Sequence, residues 1–238
     1  MNKTELLDKY ARDGESRLLL ARVLDQQQRA DQRGIPTHTA FLSPAEQAMS
    51  ADLLMAAAPG QGVLHGGYAD AERKLWGFLP DWLDEDLWLA GEDCPLAALE
   101  VKTPKGAKLT HRDYLGSLMG LGITREKIGD ILIGETGAQV IVLRETLPIL
   151  LAQWEKAGRY PVTLTPLPLD QLTPTPGETK EVRATVASVR LDAVVSAGFS
   201  IPRSRAADLI RGGRVMVNHR PCEKADKVVE AGDVLTCR

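Results

Sequence analysis

Residues 189–220 read VRLDAVVSAGFSIPRSRAADLIRGGRVMVNHR. Leu191, Val194 and Val195 recur at helical spacing and predict a short first helix. Ser200-Ile201-Pro202 is a start signal for a second helix, with the proline entering its first turn. That helix runs through Ala206, Ala207, Leu209 and Ile210, and Gly212-Gly213 stops it. Arg214-Val215-Met216-Val217-Asn218 alternates and is rich in β-forming residues, the pattern of a strand. Between Phe199 and Arg220, five arginines (Arg203, Arg205, Arg211, Arg214, Arg220) are opposed only by Asp208. A guanidinium binds phosphate through paired donors, so arginines near both ends of the second helix predict contact with a polyanion.

These residues resemble the small RNA-binding domain named after ribosomal small-subunit protein four, here the S-four domain. Arg190-Leu191-Asp192 opens the first helix, Ser204-Arg205 opens the second, and Arg211-Gly212-Gly213-Arg214-Val215-Met216-Val217-Asn218 leaves it. Lys224, Asp226 and Val228 fit a next strand, and Ala231-Gly232-Asp233-Val234-Leu235 matches the closing turn and strand. The resemblance covers Arg183 to the C-terminus and implies that both helices and the loop after them dock on structured RNA. The RNA-contacting residues it points to are Arg190, Arg203, Ser204, Arg205, Arg211, Arg214, Asn218 and Arg220. Arginines on a helix face are commonly no more than solubilising charge. Here they bracket both helix ends within a family framework, which favours an electrostatic footprint for RNA.

A length of 238 residues allows two or three small domains or one large one. The hydrophobic share of 44% and charged share of 26% are those of a soluble globular protein. The net charge of −3 does not mark the whole chain as nucleic-acid binding, but its distribution is uneven. From Glu181 onward ten Lys or Arg face seven Asp or Glu, a net +3, leaving −6 before it. Cys94, Cys222 and Cys237 are odd in number and lack Cys-x-x-Cys spacing, which predicts reduced thiols. His38, His65, His111 and His219 have no ligand spacing, so neither a metal nor a cofactor is predicted. No apolar run reaches a membrane span, and MNKTELLDKY lacks a signal-peptide core, so a cytoplasmic protein is expected.

The expected class is α+β, in four stretches. Residues 1–85 read as a helical and α+β region, with helices from Glu5 to Arg29 broken near Asp13-Gly14. Ser43-Pro44-Ala45-Glu46 caps another helix, and short strands follow near Gly62 to Gly66 and Glu72 to Leu79. Gly66-Gly67-Tyr68 with Ala71-Glu72-Arg73-Lys74 reads as a tight turn or, less simply, as a ligand loop. Residues 86–170 run β-α-β-β-α-β, the ferredoxin-like order also used by RNA-recognition modules. The strand elements are 96–102, 127–133, 139–144 and 161–167, and the helices 109–121 and 147–156. The first strand and the one at 138–144 lack the aromatics that stack single-stranded bases, so binding of the usual kind is not expected. Lys105, Lys108 and Arg112, near Lys102, form a basic cluster suited to a secondary RNA contact. Lys156 is expected on the far side of this region. Residues 171–180 read as a Pro/Thr linker, and 181–238 as the S-four domain.

Phe41-Leu42-Ser43-Pro44-Ala45-Glu46, Gly66-Gly67-Tyr68, Ala71-Glu72-Arg73-Lys74, Leu109 to Gly122 and Arg125-Glu126-Lys127-Ile128-Gly129-Asp130-Ile131 are together similar to the bacterial YlmH family. With the S-four domain, that resemblance spans nearly the whole chain. It implies a three-part RNA-binding protein of the bacterial cytoplasm, associated with cell-division gene neighbourhoods, and does not itself imply an enzyme. His111-Arg112-Asp113 superficially resembles a kinase catalytic loop, but the metal-binding asparagine, Gly-rich loop and Asp-Phe-Gly are missing. The only Arg-Leu-Asp, at 190–192, lies inside the S-four stretch rather than in a pseudouridine synthase domain. The leading expectation is a non-enzymatic protein binding ribosomal RNA, tRNA or both on the ribosome. By analogy with small S-four proteins, the large subunit with stalled peptidyl-tRNA is the expected partner. An RNA-modifying enzyme using His111, Arg112 and Asp113, and a cell-division adaptor, are the alternatives. Limited proteolysis should cut first between Thr173 and Lys180, giving two stable fragments. Recovery of cuts only within 183–238 would show the boundary to be misplaced.

Overall fold

The computed structural model describes residues 1–174 and 180–237. The chain forms two compact units, Met1–Pro176 and Gly177–Arg238. Part of the expected linker, residues 175–179, lies outside the described residues.

The first unit opens with α1 (Lys3–Tyr10) and α2 (Gly14–Arg33), broken where Asp13 accepts from the Ser16 amide as an N-cap. After β1 (Thr37–His38), Ser43 and Glu46 form the expected capping box of α3 (Pro44–Ala57). The strands β2 (Val63–His65) and β3 (Leu75–Phe78) follow, and β1-β3-β2 make a small antiparallel sheet. A short α4 (Glu85–Ala90), which the sequence reading did not include, leads into the second half of the unit.

There β4 (Leu96–Lys102), α5 (His111–Gly120), β5 (Ile128–Gly134), β6 (Gly137–Leu143), α6 (Leu147–Gln153) and β9 (Thr163–Leu167) form an antiparallel sheet in the order β5-β6-β4-β9 with two helices. Between α6 and β9 the chain inserts the hairpin β7 (Lys156–Ala157) and β8 (Tyr160–Pro161), where a helix running to Lys156 was expected. One face of the sheet, with Leu99, Val101, Val140 and Val142, packs on Tyr114 and Leu118 of α5 and on Leu150 and Trp154. The opposite face, with Leu96, Ile141 and Leu143, packs on Phe41, Leu75 and Trp88 of the preceding elements. Both faces are therefore covered. Neither face of this sheet is an open platform on which single-stranded bases could stack.

A β-bulge locks the two halves together. Ile128 pairs with Val142 and Ile131 with Val140, so β5 carries one extra residue at Gly129-Asp130. A Cβ at Gly129 would lie 2.9 Å from the Phe41 ring, so only glycine lets the ring close on the sheet. The bulge turns Asp130 outward, where its carboxylate accepts from Tyr68 Oη at 2.9 Å, Glu72 N at 2.7 Å and Arg73 N at 3.0 Å. Arg73 donates from Nε to the Ile128 carbonyl at 3.0 Å and from Nη2 to that of Phe41 at 3.1 Å. Arg125 Nη1 donates to the Ile128 carbonyl at 2.6 Å. The Gly66-Gly67-Tyr68 and Ala71-Glu72-Arg73-Lys74 stretches, read as turn or ligand loop, are thus the clasp of an internal joint. Burial pulls the Arg73 pKa down. Burial and then the Arg73 charge bring Arg125 to about 10. Arg125 remains a cation at neutral pH.

The second unit packs α7 (Leu191–Gly198) and α8 (Arg203–Arg211) on β10 (Val215–Val217), β11 (Arg220–Pro221) and β12 (Leu235–Cys237), in the order β11-β10-β12. The strand expected around 224–228 is instead irregular chain with one bridge, Arg190 to Val228. Among the described residues no helix is long and apolar enough to cross a membrane.

Replacing Asp130 by alanine leaves one hydroxyl and two amides of the joint without their acceptor. Asp130→Ala should lower the stability of the first unit by about 2 kcal/mol, and Tyr68→Phe by about 1 kcal/mol. Urea unfolding of the full chain reads both, and an unshifted midpoint in Asp130→Ala would remove the joint from the energetics.

Candidate nucleic-acid interface

The arginines of the second unit are arranged around the starts of its two helices. Arg190 occupies the N-cap position of α7, and Arg203 is the first residue of α8. Both turn to Asp192, which is only 6% exposed. Arg203 donates to its two carboxylate oxygens from Nε at 3.0 Å and Nη2 at 3.1 Å, and Arg190 Nε donates at 3.3 Å. Burial pushes the Asp192 carboxyl up, but the hydrogen bonds and charges of Arg203 and Arg190 outweigh it and hold the group below its ordinary value. Asp192 therefore ties the starts of the two helices together, and its partners Arg190 and Arg203 are positioned rather than loose.

The first turn of α8 holds Arg203, Ser204 and Arg205, and contains no acidic residue. Pro202 sits at its N-cap and no side chain caps it. A helix start already carries partial positive charge and unpaired amides, so cations there raise the local potential. An anion is the natural complement. Ser204, Arg205, Asp208 and Arg211 share the exposed face of α8, and Arg211 Nη2 donates to Asp208 at 2.6 Å. Arg214 lies exposed just beyond Gly212-Gly213, and Arg220 is exposed on β11.

Asn218 has an internal role that its place in the motif did not reveal. Asn218 and His219 both adopt positive φ, 51° and 62°, in the two-residue turn joining β10 and β11. Asn218 Nδ2 donates to Asp233 Oδ1 at 2.7 Å, and its Oδ1 accepts from Val234 N at 2.9 Å. The amide expected to contact RNA thus staples this turn to the closing one. Asp233 in turn accepts from Glu230 N at 2.9 Å, and that bond together with Asn218 holds its carboxyl below the usual range.

In the first unit Lys105, Lys108 and Arg112 are all exposed, before and within the first turn of α5. Asp113, the acid of the enzyme alternative, accepts from Thr110 N and Oγ1, both at 2.7 Å, and so caps the helix. Those bonds hold its carboxyl below the ordinary value. Among the described residues no group of three or more His, Cys, Asp or Glu could hold a metal ion.

Residues 15–77 match the family profile described as "YlmH, N-terminal". Residues 90–171 match "Putative RNA-binding domain in YlmH", and residues 189–235 match the S4 domain, the S-four domain above. The chain is 35% identical over 206 residues to "Ribosome-associated protein quality control protein P2" of Bacillus subtilis, covering 84% of this chain and 76% of the relative. The chain belongs to the YlmH family. A solved structure titled "Cell division protein ylmH from Streptococcus pneumoniae" has the same fold, with a TM-score of 0.54 at 24% identity. It covers 67% of this chain and 95% of that one. This YlmH-family chain is thus an α+β protein with a C-terminal S4 RNA-binding domain.

The Asp192 clasp has a pH signature. Its folded pKa lies below its unfolded one, so its stabilisation is complete above about pH 4 and is lost as pH falls through the folded value. Asp192→Asn should cost the second unit about 2 kcal/mol at neutral pH, because the guanidiniums are partly solvated. Hydrogen exchange of α7 and α8 in the full chain, from acid to neutral pH, reads this. Equal protection in Asp192→Asn and the parent throughout would deny Asp192 that role.

Proposed function

We propose that this YlmH-family chain is a non-enzymatic RNA-binding protein of the ribosome, acting through ribosomal RNA, tRNA or both. The observation that carries the reading is the start of α8, where Arg203, Ser204 and Arg205 stand on an uncapped helix end with no acid in its first turn. Phosphate of structured RNA fits this site through guanidinium donors and unpaired amides. Arg190 and Arg203, held by Asp192, set the angle of approach, while Arg205, Arg211, Arg214 and Arg220 extend the contact. Ser204 adds a directional hydrogen bond. Lys105, Lys108 and Arg112 of the first unit make the secondary contact.

The ribosome enters through the relative, whose name places that protein in ribosome-associated quality control. The large subunit carrying peptidyl-tRNA is the partner by analogy, in keeping with a cytoplasmic location. A catalytic reading finds less support, since Asp113, its leading acid, is committed to a helix cap.

The test is affinity for isolated large subunits and for tRNA across a salt series. Arg205→Glu and Arg214→Glu should each weaken binding and reduce the log–log salt slope by about 1 or slightly less, the amount expected per phosphate contact. Stability should change by no more than about 0.5 kcal/mol, checked by circular dichroism. Lys105→Glu with Lys108→Glu should do less. A folded Arg205→Glu variant with the parent's affinity and slope would sink this binding face.

A further inference from the structure

With both faces of the four-stranded sheet covered, RNA meeting the first unit must use an edge or a loop. Charge selects which. From Leu75 to Val101 the chain has seven Asp or Glu and no Lys or Arg, whereas from Lys102 to Arg112 it has four Lys or Arg and no Asp or Glu. The β7–β8 hairpin lies beside this cationic loop. A Cβ at Gly158 would stand 3.2 Å from Leu109 Cδ2 and 3.6 Å from Asp113 Oδ1, and Lys108 and Arg112 flank those residues in sequence. The hairpin bearing Lys156 is therefore a neighbour of the basic loop, contrary to the expectation that Lys156 lies far from it.

At the hairpin tip, the Arg159 guanidinium lies over the Tyr160 ring, 5.0 Å from its centroid, and Nη2 donates to Tyr160 Oη at 2.9 Å. Arg159 is exposed, Tyr160 is half-buried, and Arg159 makes no ion pair with the described residues. The acid beside the hairpin turn, Asp113, is committed to its cap. A flat, exposed cation held against the Tyr160 ring and by its hydroxyl, beside the end of the loop that carries Lys105 and Lys108, offers a stacking plane and phosphate partners together.

We propose that this hairpin docks an unpaired nucleotide of RNA. The base stacks on the Arg159 guanidinium, which Tyr160 holds in place, and Lys105, Lys108 and Arg112 hold the adjoining phosphates. The inference rests on the RNA-binding reading above, and adds single-stranded RNA as the class bound by the first unit.

The full chain is titrated with a short single-stranded RNA carrying a central 2-aminopurine, and with a fully paired duplex of the same sequence. Stacking quenches 2-aminopurine fluorescence in the single strand. Arg159→Lys keeps the charge and removes the plane, so it should abolish the quench and weaken single-strand binding by about 5- to 150-fold, the range for loss of one stacked base. Duplex binding should be unchanged. Tyr160→Phe should retain the quench, and Tyr160→Leu, which keeps apolar bulk without a ring, should reduce it, with circular dichroism confirming folding. No quench with the parent chain, a quench that survives Arg159→Lys, or equal weakening for single strand and duplex would each overturn the proposal. The second unit is tested separately by Arg205→Glu. If that variant keeps full RNA affinity while the quench still depends on Arg159, the C-terminal reading fails and the hairpin site stands.

Discussion

Apolar side chains on both faces of β4 and β6 impose the constraint from which the rest of the first unit follows. Leu96 to Leu99 and Val140 to Leu143 are unbroken apolar runs, and alternate residues point to opposite faces. Each fully buried Leu, Ile or Val is worth about 1.5–3 kcal/mol relative to exposure, so neither face can be left to water. Helices α5 and α6 cover one, and Phe41, Leu75 and Trp88 from the N-terminal half cover the other. The bulge at Gly129-Asp130 serves this closure, since Gly129 admits the Phe41 ring and Asp130 holds the loop that follows β2. The N-terminal half is thus part of the same core rather than an appended module.

The second unit meets a different difficulty. Its core is small, built around Leu191, Val195, Ala206, Ile210, Val215 and Val217, yet cations are concentrated where its helices begin. Asp192 answers part of that repulsion from within, binding Arg190 and Arg203 at once. Arg205 and Arg214 have no such internal carboxylate among the described residues, and their charge faces solvent. The unit is stabilised where the two helices touch and left electrostatically unsatisfied on the surface beside that contact.

Much of this was legible in the sequence because it depends on short-range chemistry. The Asp13-Gly14 break, the Ser43 to Glu46 cap, the order β4-α5-β5-β6-α6-β9 and the pair α7–α8 follow from caps, glycines and apolar period. Arg190-Leu191-Asp192 as the opening of the first helix was likewise readable. What escaped depends on partners distant in sequence. Tyr68 and Asp130 are 62 residues apart, and no periodicity reports that they bond. Asn218 bonds to Asp233, 15 residues further on and in another motif, a contact that no local pattern reports. Lys156-Ala157-Gly158-Arg159-Tyr160 carried a turn signal in Gly158, but Leu147 to Gln153 ran into it as an uninterrupted helical pattern. The unbroken apolar run of β4 was the available clue that the sheet has two covered faces.

That double cover also bears on how the family can diversify. Where a protein reads RNA with its sheet, each change of specificity disturbs strands that also hold the core together. Here the exposed residues Lys105 and Lys108 of the basic loop, Arg112 beside it and Arg159 of the hairpin stand outside both hydrophobic layers. Exchanges at such surface positions usually shift stability by less than about 0.5 kcal/mol. Sequence drift can therefore retune what the first unit touches while selection on the fold scarcely notices. Insertions in that loop and hairpin are the changes this architecture absorbs most readily.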